Sequence, residues 1–460
     1  MTTAPTRLSR AAGHGRPPAP VRIVHLGVGN FFRAHQAWYT EHAPDAAAWG
    51  IAAFTGRSPA MAEALRPQGG LYTLITRGPD ADDYEVISSL TAVHASSEHE
   101  AFLGYLRSPE LAIITLTVTE AGYLRGPDGH LDRTLPGVVA DVQALRADAT
   151  AAVTTTPGRI VAGLLARRAA NAGPLAIVSC DNLSHNGDVL ATVASDLAAD
   201  VDPTLAAWIA QNVAFGTTMV DRITPATTEE HKANVLVATG LVDEAPVPTE
   251  PFSEWVIQGA FPNGRPAWDQ AGALIVNDVA PFERRKLALL NGSHSLMAYA
   301  ATILGHETVA DAIQDPRCLA WVEQWWDEAC AHIPLPAEDL ENYRQALLDR
   351  YRNPNIRHAL AQIAADGSLK IPVRILPTLR AELAQGRVPA GATRAVAAWV
   401  LHLRGLGAPV KDVRAAEVLA LAEGSLEDSV TAVLTFLDPT LADDARVRQA
   451  VLAEATALSS

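Results

Sequence analysis

The feature that most limits this chain's fold is a short, mostly apolar run that stops on a glycine pair. Val21 to Leu26 is rich in β-branched residues and is followed by Gly27-Val28-Gly29. Such a run reads as a strand, and the helical pattern from about Phe32 reads as the element after the turn. The alternation continues down the chain. Ile51 to Phe54, Tyr72 to Ile75 and Tyr84 to Val93 read as strands. Ala112 to Val118 (AIITLTV) is nearly all apolar or threonine, as a central parallel strand should be. Ile160 to Ala170 reads as a helix and Leu175 to Ser179 as the next strand. Strands alternating with helices predict a parallel sheet covered on both faces. After about Asn277 the pattern changes, and from Glu283 onward it is largely helical, with Ala395 to Arg404 and Asp412 to Glu423 as amphipathic helices. The predicted plan is a disordered tail over 1–20, an α/β domain over 21–280 and an all-helical domain over 281–460.

Charge excludes one class of function. Lysine plus arginine number 36 against 51 aspartates plus glutamates, a net −15. A chain this acidic, with no basic cluster interleaved with aromatics, is poorly suited to neutralising phosphate backbones. Three cysteines, Cys180, Cys318 and Cys330, form no disulfide framework and fit a reducing compartment. No apolar run reaches the length of a membrane span. The first twenty residues lack the apolar middle of a secretory signal. The expectation is a cytoplasmic protein, a monomer or small homo-oligomer, with no nucleic-acid or membrane partner.

Gly27 and Gly29 stand directly after a strand and before a helix. That placement turns backbone N–H groups and a helix N-terminus toward a pyrophosphate, so a nicotinamide dinucleotide is the expected cofactor. A third glycine would fall at position 32, where Phe32 stands, so an ordinary strand-to-helix turn competes with this reading. An acid at the end of the second strand would grip the ribose hydroxyls of NAD. The segment Phe54 to Ser58 holds none, and Arg57 with Ser58 can instead accept a 2′-phosphate. NAD and NADP both stay open, as does the reading of Arg57 as a solvated loop charge.

Residues 283–297 read ERRKLALLNGSHSLM. On an α-helix, Glu283, Lys286, Asn291 and His294 fall within an arc of about 140°, together with Leu287, Leu290 and Met297. Four polar side chains on an otherwise apolar face are costly unless paired or in a cavity. One reading is a partly buried helix with a Glu283–Lys286 pair and an Asn–His hydrogen bond. The other is catalytic: a desolvated Lys286 acts as a base near neutral pH, beside an amide that holds the substrate oxygen and a histidine that orients it.

With these residues in view, the chain resembles the mannitol dehydrogenase family of polyol-specific long-chain dehydrogenases and reductases. The resemblance runs from about residue 22 to at least residue 377. Its motifs are the G-x-G-x-F-x-R-A-H turn (Gly27 to His35), GLYTL (Gly70 to Leu74), TVTEAGY (Thr117 to Tyr123) and SCDNLSHNG (Ser179 to Gly187). VDRITP (Val220 to Pro225), KLALLNGSHS (Lys286 to Ser295) and DGSLKIP (Asp366 to Pro372) complete the set. The resemblance implies a Rossmann-type domain followed by a helical substrate-binding domain, with the active site between them and no zinc. It implies NAD as the usual cofactor, met by Gly27, Gly29, Phe31 and Arg33.

It also implies roles for single residues. Lys286 moves the proton, while Asn182 and Asn291 hold the reacting oxygen as an oxyanion-stabilising pair. His294 positions the substrate, Glu283 relays the proton to solvent, Asp221 accepts a substrate hydroxyl and Lys370 contacts substrate. For three of these, structural alternatives stand beside the role: a turn residue for Asn182, a pairing with Arg222 or a helix cap for Asp221, and an ion pair for Glu283. Oxidation of D-mannitol to D-fructose leads, and the D-mannonate to D-fructuronate reaction is the runner-up. TGRSPAMAEAL (Thr55 to Leu65) looks more like the fructuronate reductases. A carboxylate substrate would want a further cation, for which Arg352, Arg357 and Lys370 are candidates. No metal site is expected: there is no H-E-x-x-H, Cys318 and Cys330 lack a C-x2-C pattern, and His185 reads as a hydrogen-bonding loop residue. Cys180 reads as a small buried residue. A sugar- or cofactor-binding regulatory protein without turnover is the alternative from another class. It predicts a replaced lysine, whereas Lys286, Asn291 and His294 are all present.

Overall fold

Residues 6–356 and 358–460 are described by the structure, a computed structural model. The chain divides into two units, one ending at Val279 and the other beginning at Ala280. No helix among the described residues is long and apolar enough to cross a membrane.

The main sheet of the first unit has eight strands: β1 (Val21–Leu26), β2 (Gly50–Phe54), β3 (Leu90–His94), β4 (Ile113–Leu116), β5 (Leu175–Ser179), β6 (Val213–Asp221), β7 (Glu254–Gln258) and β8 (Leu274–Ile275). Their order is β8-β7-β6-β5-β4-β1-β2-β3. The first six are parallel and run 3-2-1-4-5-6, so the order reverses between β1 and β4. That reversal opens a crevice at the carboxyl ends of the strands. The sheet is not wholly parallel, because β7 pairs antiparallel with β6 from Glu254↔Asp221 to Gln258↔Thr217.

Alternation along each strand feeds two cores. Val24, Leu26, Phe54 and Leu116 face the helices His99–Leu106, Thr156–Ala169 and Asn186–Val201. Ile23, Ile113 and Val178 face the other way, with Phe32 and Trp255. Ile113 to Leu116 is buried throughout, which is why its sequence carries no polar face.

Two expectations need correction. Of the tail expected over 1–20, residues 1–5 lie outside the described part, and the rest, though largely exposed, is tied to the fold at several points. Thr6–Arg7 pairs with Leu241–Val242, and Leu8 is fully buried. The Arg10 guanidinium donates to Gly69 O, Ser88 O and Leu90 O. A single arginine satisfying three carbonyls ties down a segment whose composition gives no such sign. The stretch Tyr84 to Val93 is two strands rather than one. Asp82–Ile87 forms a hairpin with Tyr72–Arg77, and after Ser88-Ser89 the chain enters β3 of the main sheet.

Among the described residues, every element of the second unit is helical. Ala390–Leu403 is its central helix, buried along most of its length. Asp412 to Glu423 is helical only over Ala415–Ala420. The Asp412 carboxylate accepts from Ser368 N, Ser368 Oγ and Arg414 N, which holds the preceding residues in a turn.

Candidate active site

The glycine turn after β1 is shaped by close approach. Gly27 has φ +108°, and a Cβ there would stand 2.4 Å from Thr117 O, so only glycine fits. His25 and Thr117 grip the Gly27 carbonyl at 3.0 Å each. The His25 ring is stacked on Phe32 at 3.4 Å, and burial pushes its pKa down to about 3. A Cβ on Gly29 would meet nothing nearer than Gly27 O, at 4.0 Å, so the turn leaves room above its backbone. The helix that follows is short: Asn30–Ala34 breaks at His35 before Gln36–His42 resumes. Phe31 is half-buried and stacks on His35. Arg33 differs from its expected role. It is fully buried, with donors spent on Gly29 O, Asn30 Oδ1 and Ala245 O, so it holds the turn instead of facing a ligand.

Beside the turn lies a cleft of about 820 Å³ at the ends of β1, β2 and β4, lined by Gly27, Thr55, Arg57, Thr117 and Arg159 among others. None of its lining residues is acidic. Its size, its place at the switch point and the space over Gly29 fit a dinucleotide.

The SCDN segment follows β5. Tyr123 OH donates to the Asp181 carboxylate, and Asp181 Oδ1 accepts from Leu183 N at 3.1 Å. Burial raises the Asp181 pKa to about 6 against the opposing pull of the tyrosine. Asn186 donates to Asp181 O and Thr218 O, both at 3.1 Å, tying the segment to β6. Asn182 is thereby presented, exposed, from a loop braced on both sides. His185 takes a left-handed conformation (φ 53°) at the start of helix Asn186–Val201, 3.9 Å from Asp188. Asp221 ends β6 opposite Glu254 and is 5% exposed. Its neighbour Arg222 donates to Ala34 O and Glu250 O. Cys180 is fully buried and its thiol pKa is pushed up by that burial.

In the second unit the lysine helix is not a plain α-helix. Ala280–Arg285 is α-helical, Lys286–Gly292 is a π-helix, and Ser293–Ile303 is α-helical again. On an α-helix Lys286 and Asn291 would stand about 140° apart. With i→i+5 bonding, residue 291 comes back over residue 286, one turn along. The wide turn is held by side chains. Trp325 Nε1 donates to Ala288 O at 2.8 Å and Trp326 Nε1 to Leu289 O at 3.0 Å. Ser293 Oγ donates to Leu289 O, and Tyr351 OH to Leu290 O at 3.4 Å. Gly292 is required because a Cβ would stand 2.6 Å from Trp325 Cζ2. Glu283, Lys286 and Asn291 are partly exposed, and His294 is 6% exposed.

Cations gather near His294. Its ring lies 5.1 Å from those of Tyr351 and His358. The His358 pKa is lowered by burial, then by the charges of Arg350 and Lys370. Lys370 Nζ donates to Ile363 O at 3.1 Å, and its pKa is lowered, chiefly by burial. Arg374 donates to Asn291 O and Ser295 Oγ. Of the cations expected for a carboxylate, Arg352 is exposed at a helix end and Arg357 lies outside the described residues. Arg350 is the buried one. The sequence offers no cue for this, because Arg350 and Arg352 are two residues apart on one helix and only packing decides which faces inward.

Two further groups were not singled out in sequence. His306, Asp315 and Cys318 bring ligand-type atoms within 4.8 Å of one another. Asp315 caps helix Pro316–Cys330 and both its oxygens accept from Arg317, so an ion pair accounts for the cluster. Arg159, in the cleft, is the other.

Known proteins match this arrangement over nearly the whole chain. Residues 21–270 match the family model described as mannitol dehydrogenase Rossmann domain, and residues 278–458 that of the mannitol dehydrogenase C-terminal domain. The D-mannonate oxidoreductase of Escherichia coli (strain K12) is 39% identical over 395 residues, 84% of this chain and 80% of that protein. A mannitol 2-dehydrogenase of Cereibacter sphaeroides is 35% identical over 413 residues, 88% of this chain and 84% of that one. The Pseudomonas fluorescens mannitol 2-dehydrogenase, solved as a ternary complex with NAD and D-mannitol, superposes with a TM-score of 0.76. It is 33% identical, covering 96% of this chain and 92% of that one.

Proposed function

The chain belongs to the mannitol dehydrogenase family, and from that premise we propose that it is a nicotinamide-dependent polyol oxidoreductase, with interconversion of D-mannitol and D-fructose as its leading reaction. The bound dinucleotide supplies the hydride acceptor at its nicotinamide ring. Gly27 and Gly29 hold its pyrophosphate end close to the backbone. Lys286 Nζ takes the hydroxyl proton from C2 and Glu283 passes it to solvent. The Nδ2 groups of Asn182 and Asn291 donate to the oxygen as negative charge builds on it. His294 orients the substrate, Asp221 accepts one of its hydroxyls, and Lys370 contacts it.

The observation that carries this reading is the π turn, which brings Lys286 and Asn291 to one side of the helix. A helix bent out of regular geometry and braced by two tryptophans has a use if a base and a donor must meet one oxygen. A second reading, D-mannonate to D-fructuronate, is favoured by the buried Arg350 and the half-buried Lys370, whose charges both act on His358. A substrate carboxylate would be attracted to a region of this charge. Initial rates with D-mannitol, D-mannonate and other polyols, each with NAD and NADP, test both. Turnover with neither a polyol nor an aldonate would leave a binding protein and refute the proposal.

A further inference from the structure

Arg159 stands on the helix Thr156–Ala169 and lines the dinucleotide cleft. It is 8% exposed. Its Nε and Nη2 are buried with no hydrogen-bond partner among the described residues. Burial alone accounts for the lowering of its pKa; no carboxylate opposes it. The guanidinium is wedged against the rings of Phe54 and Phe102, 5.7 and 5.4 Å from their centroids. Phe54 is the last residue of β2. Of the acids close in sequence to the lining residues, Glu98 pairs with Arg66 and His94, Glu100 with Arg107, and Asp141 with Thr154 and Thr155, while Glu120, between Thr119 and Ala121, is exposed. A buried cation without an anion is costly, and proteins keep one where a ligand completes it.

The position decides which anion. The end of the second strand is where a dinucleotide's adenosine ribose sits in this fold. An acid there would take the ribose diol and repel a phosphate, but the strand continues into Thr55-Gly56-Arg57-Ser58. Arg57 lines the same cleft, as do Ser96 and Ser97 at the end of β3. We infer that Arg159, together with Arg57, forms a built subsite for the 2′-phosphate of NADP, with Arg159 as its principal charge. Arg159 brings a rigid, ring-flanked fork that can pair with a phosphate. Arg57 adds a second charge from the exposed rim. This rests on the dinucleotide reading of the cleft.

The test is direct binding, measured by calorimetry on the full chain with 2′,5′-ADP, 5′-AMP and NADH. Wild-type protein should bind 2′,5′-ADP at least about ten-fold more tightly than 5′-AMP. Arg159→Met should erase most of that ratio, Arg159→Lys should keep part of it, and Arg57→Ala should lower it less than Arg159→Met. A wild-type ratio near one overturns the inference without any variant. So does an Arg159→Met protein that loses affinity equally for all three ligands. If NADH binds normally while the ratio is near one, the subsite fails and the dinucleotide reading stands. If NADH does not bind at all, both fail.

Discussion

A side chain kept for an absent anion should weaken the protein when that anion is missing, and Arg159 allows the size of the effect to be worked out. Burial pushes its pKa from an ordinary 12.5 down to about 10. At about 1.36 kcal/mol per tenfold, that is about 3 kcal/mol of penalty on the charged form. The sign follows from linkage: a depressed folded pKa on a base means the penalty is complete below pH 10 and fades only as pH rises from there toward 12.5. At pH 7.5 all of it is present. The faces of Phe54 and Phe102 return roughly 0.5–1 kcal/mol each. Arg159→Met keeps the length of the stem and removes the charge. It should therefore stabilise the ligand-free protein by about 1–2 kcal/mol, which for a unit of this size raises Tm by about 2–6 °C. The assay is urea and thermal unfolding at pH 7.5, without nucleotide and again with saturating NADPH. Ligand binding adds stability by mass action, so wild type should overtake the variant once NADPH is present. An Arg159→Met protein less stable than wild type by more than about 1 kcal/mol without ligand would show the guanidinium already satisfied inside the fold, and the reasoning would fail.

Other outcomes follow from the second unit and the SCDN loop. Lys286→Ala should lower kcat by roughly 10²–10⁴-fold while NADH fluorescence titration gives an unchanged Kd; retention of more than about a tenth of kcat would remove the lysine from the mechanism. Gly292→Ala forces a Cβ to 2.6 Å from Trp325, so it should lose about 1–3 kcal/mol of stability and much of kcat, and wild-type behaviour in both would show the π turn to be incidental. The Asp181 carboxyl, raised to about 6, holds its proton in the folded protein where the unfolded chain has lost it. Stability should therefore fall by about 2–3 kcal/mol between pH 4 and 6, and Asp181→Asn should flatten that slope in denaturation curves. Turnover should survive exhaustive EDTA treatment, since Lys286 is proposed to move the proton; loss restored by zinc would overturn that assignment.

How far the fold could be read from sequence depended on whether packing or local pattern set each element. Leu175–Ser179 and β2 lie where their apolar runs put them, because a strand buried on both faces has little other composition open to it. The antiparallel β7 carries no such signature. Its five residues include Trp255 and Gln258, and nothing local distinguishes a strand that joins an edge backwards from one that continues the parallel order. The N-terminal segment hides its anchoring for a similar reason. Proline, glycine and arginine look like a tail, and Arg10 becomes a staple only when three carbonyls from residues 69–90 come to meet it.

The site shows the same division more sharply. A helical wheel at 3.6 residues per turn collects Glu283, Lys286, Asn291 and His294, but sets Lys286 and Asn291 at the two margins of the arc. The sequence thus named the residues and misjudged their spacing in angle. What corrects it is remote: an indole pair some thirty-five residues later donates to two successive carbonyls and makes an i→i+5 turn stable. Arg159 is the converse. It sits on an apolar helix stripe with Gly163, which itself packs against Phe102 and Leu106, so the pattern predicts core. A charged residue on a core stripe is a contradiction that local rules leave standing, and such contradictions mark places where the chain is shaped for something other than its own stability. In the lysine helix the mismatch is repaired by the protein itself, through Trp325 and Trp326. At Arg159 only the faces of Phe54 and Phe102 offset part of it among the described residues, which is the physical ground for assigning the remaining partner to a ligand.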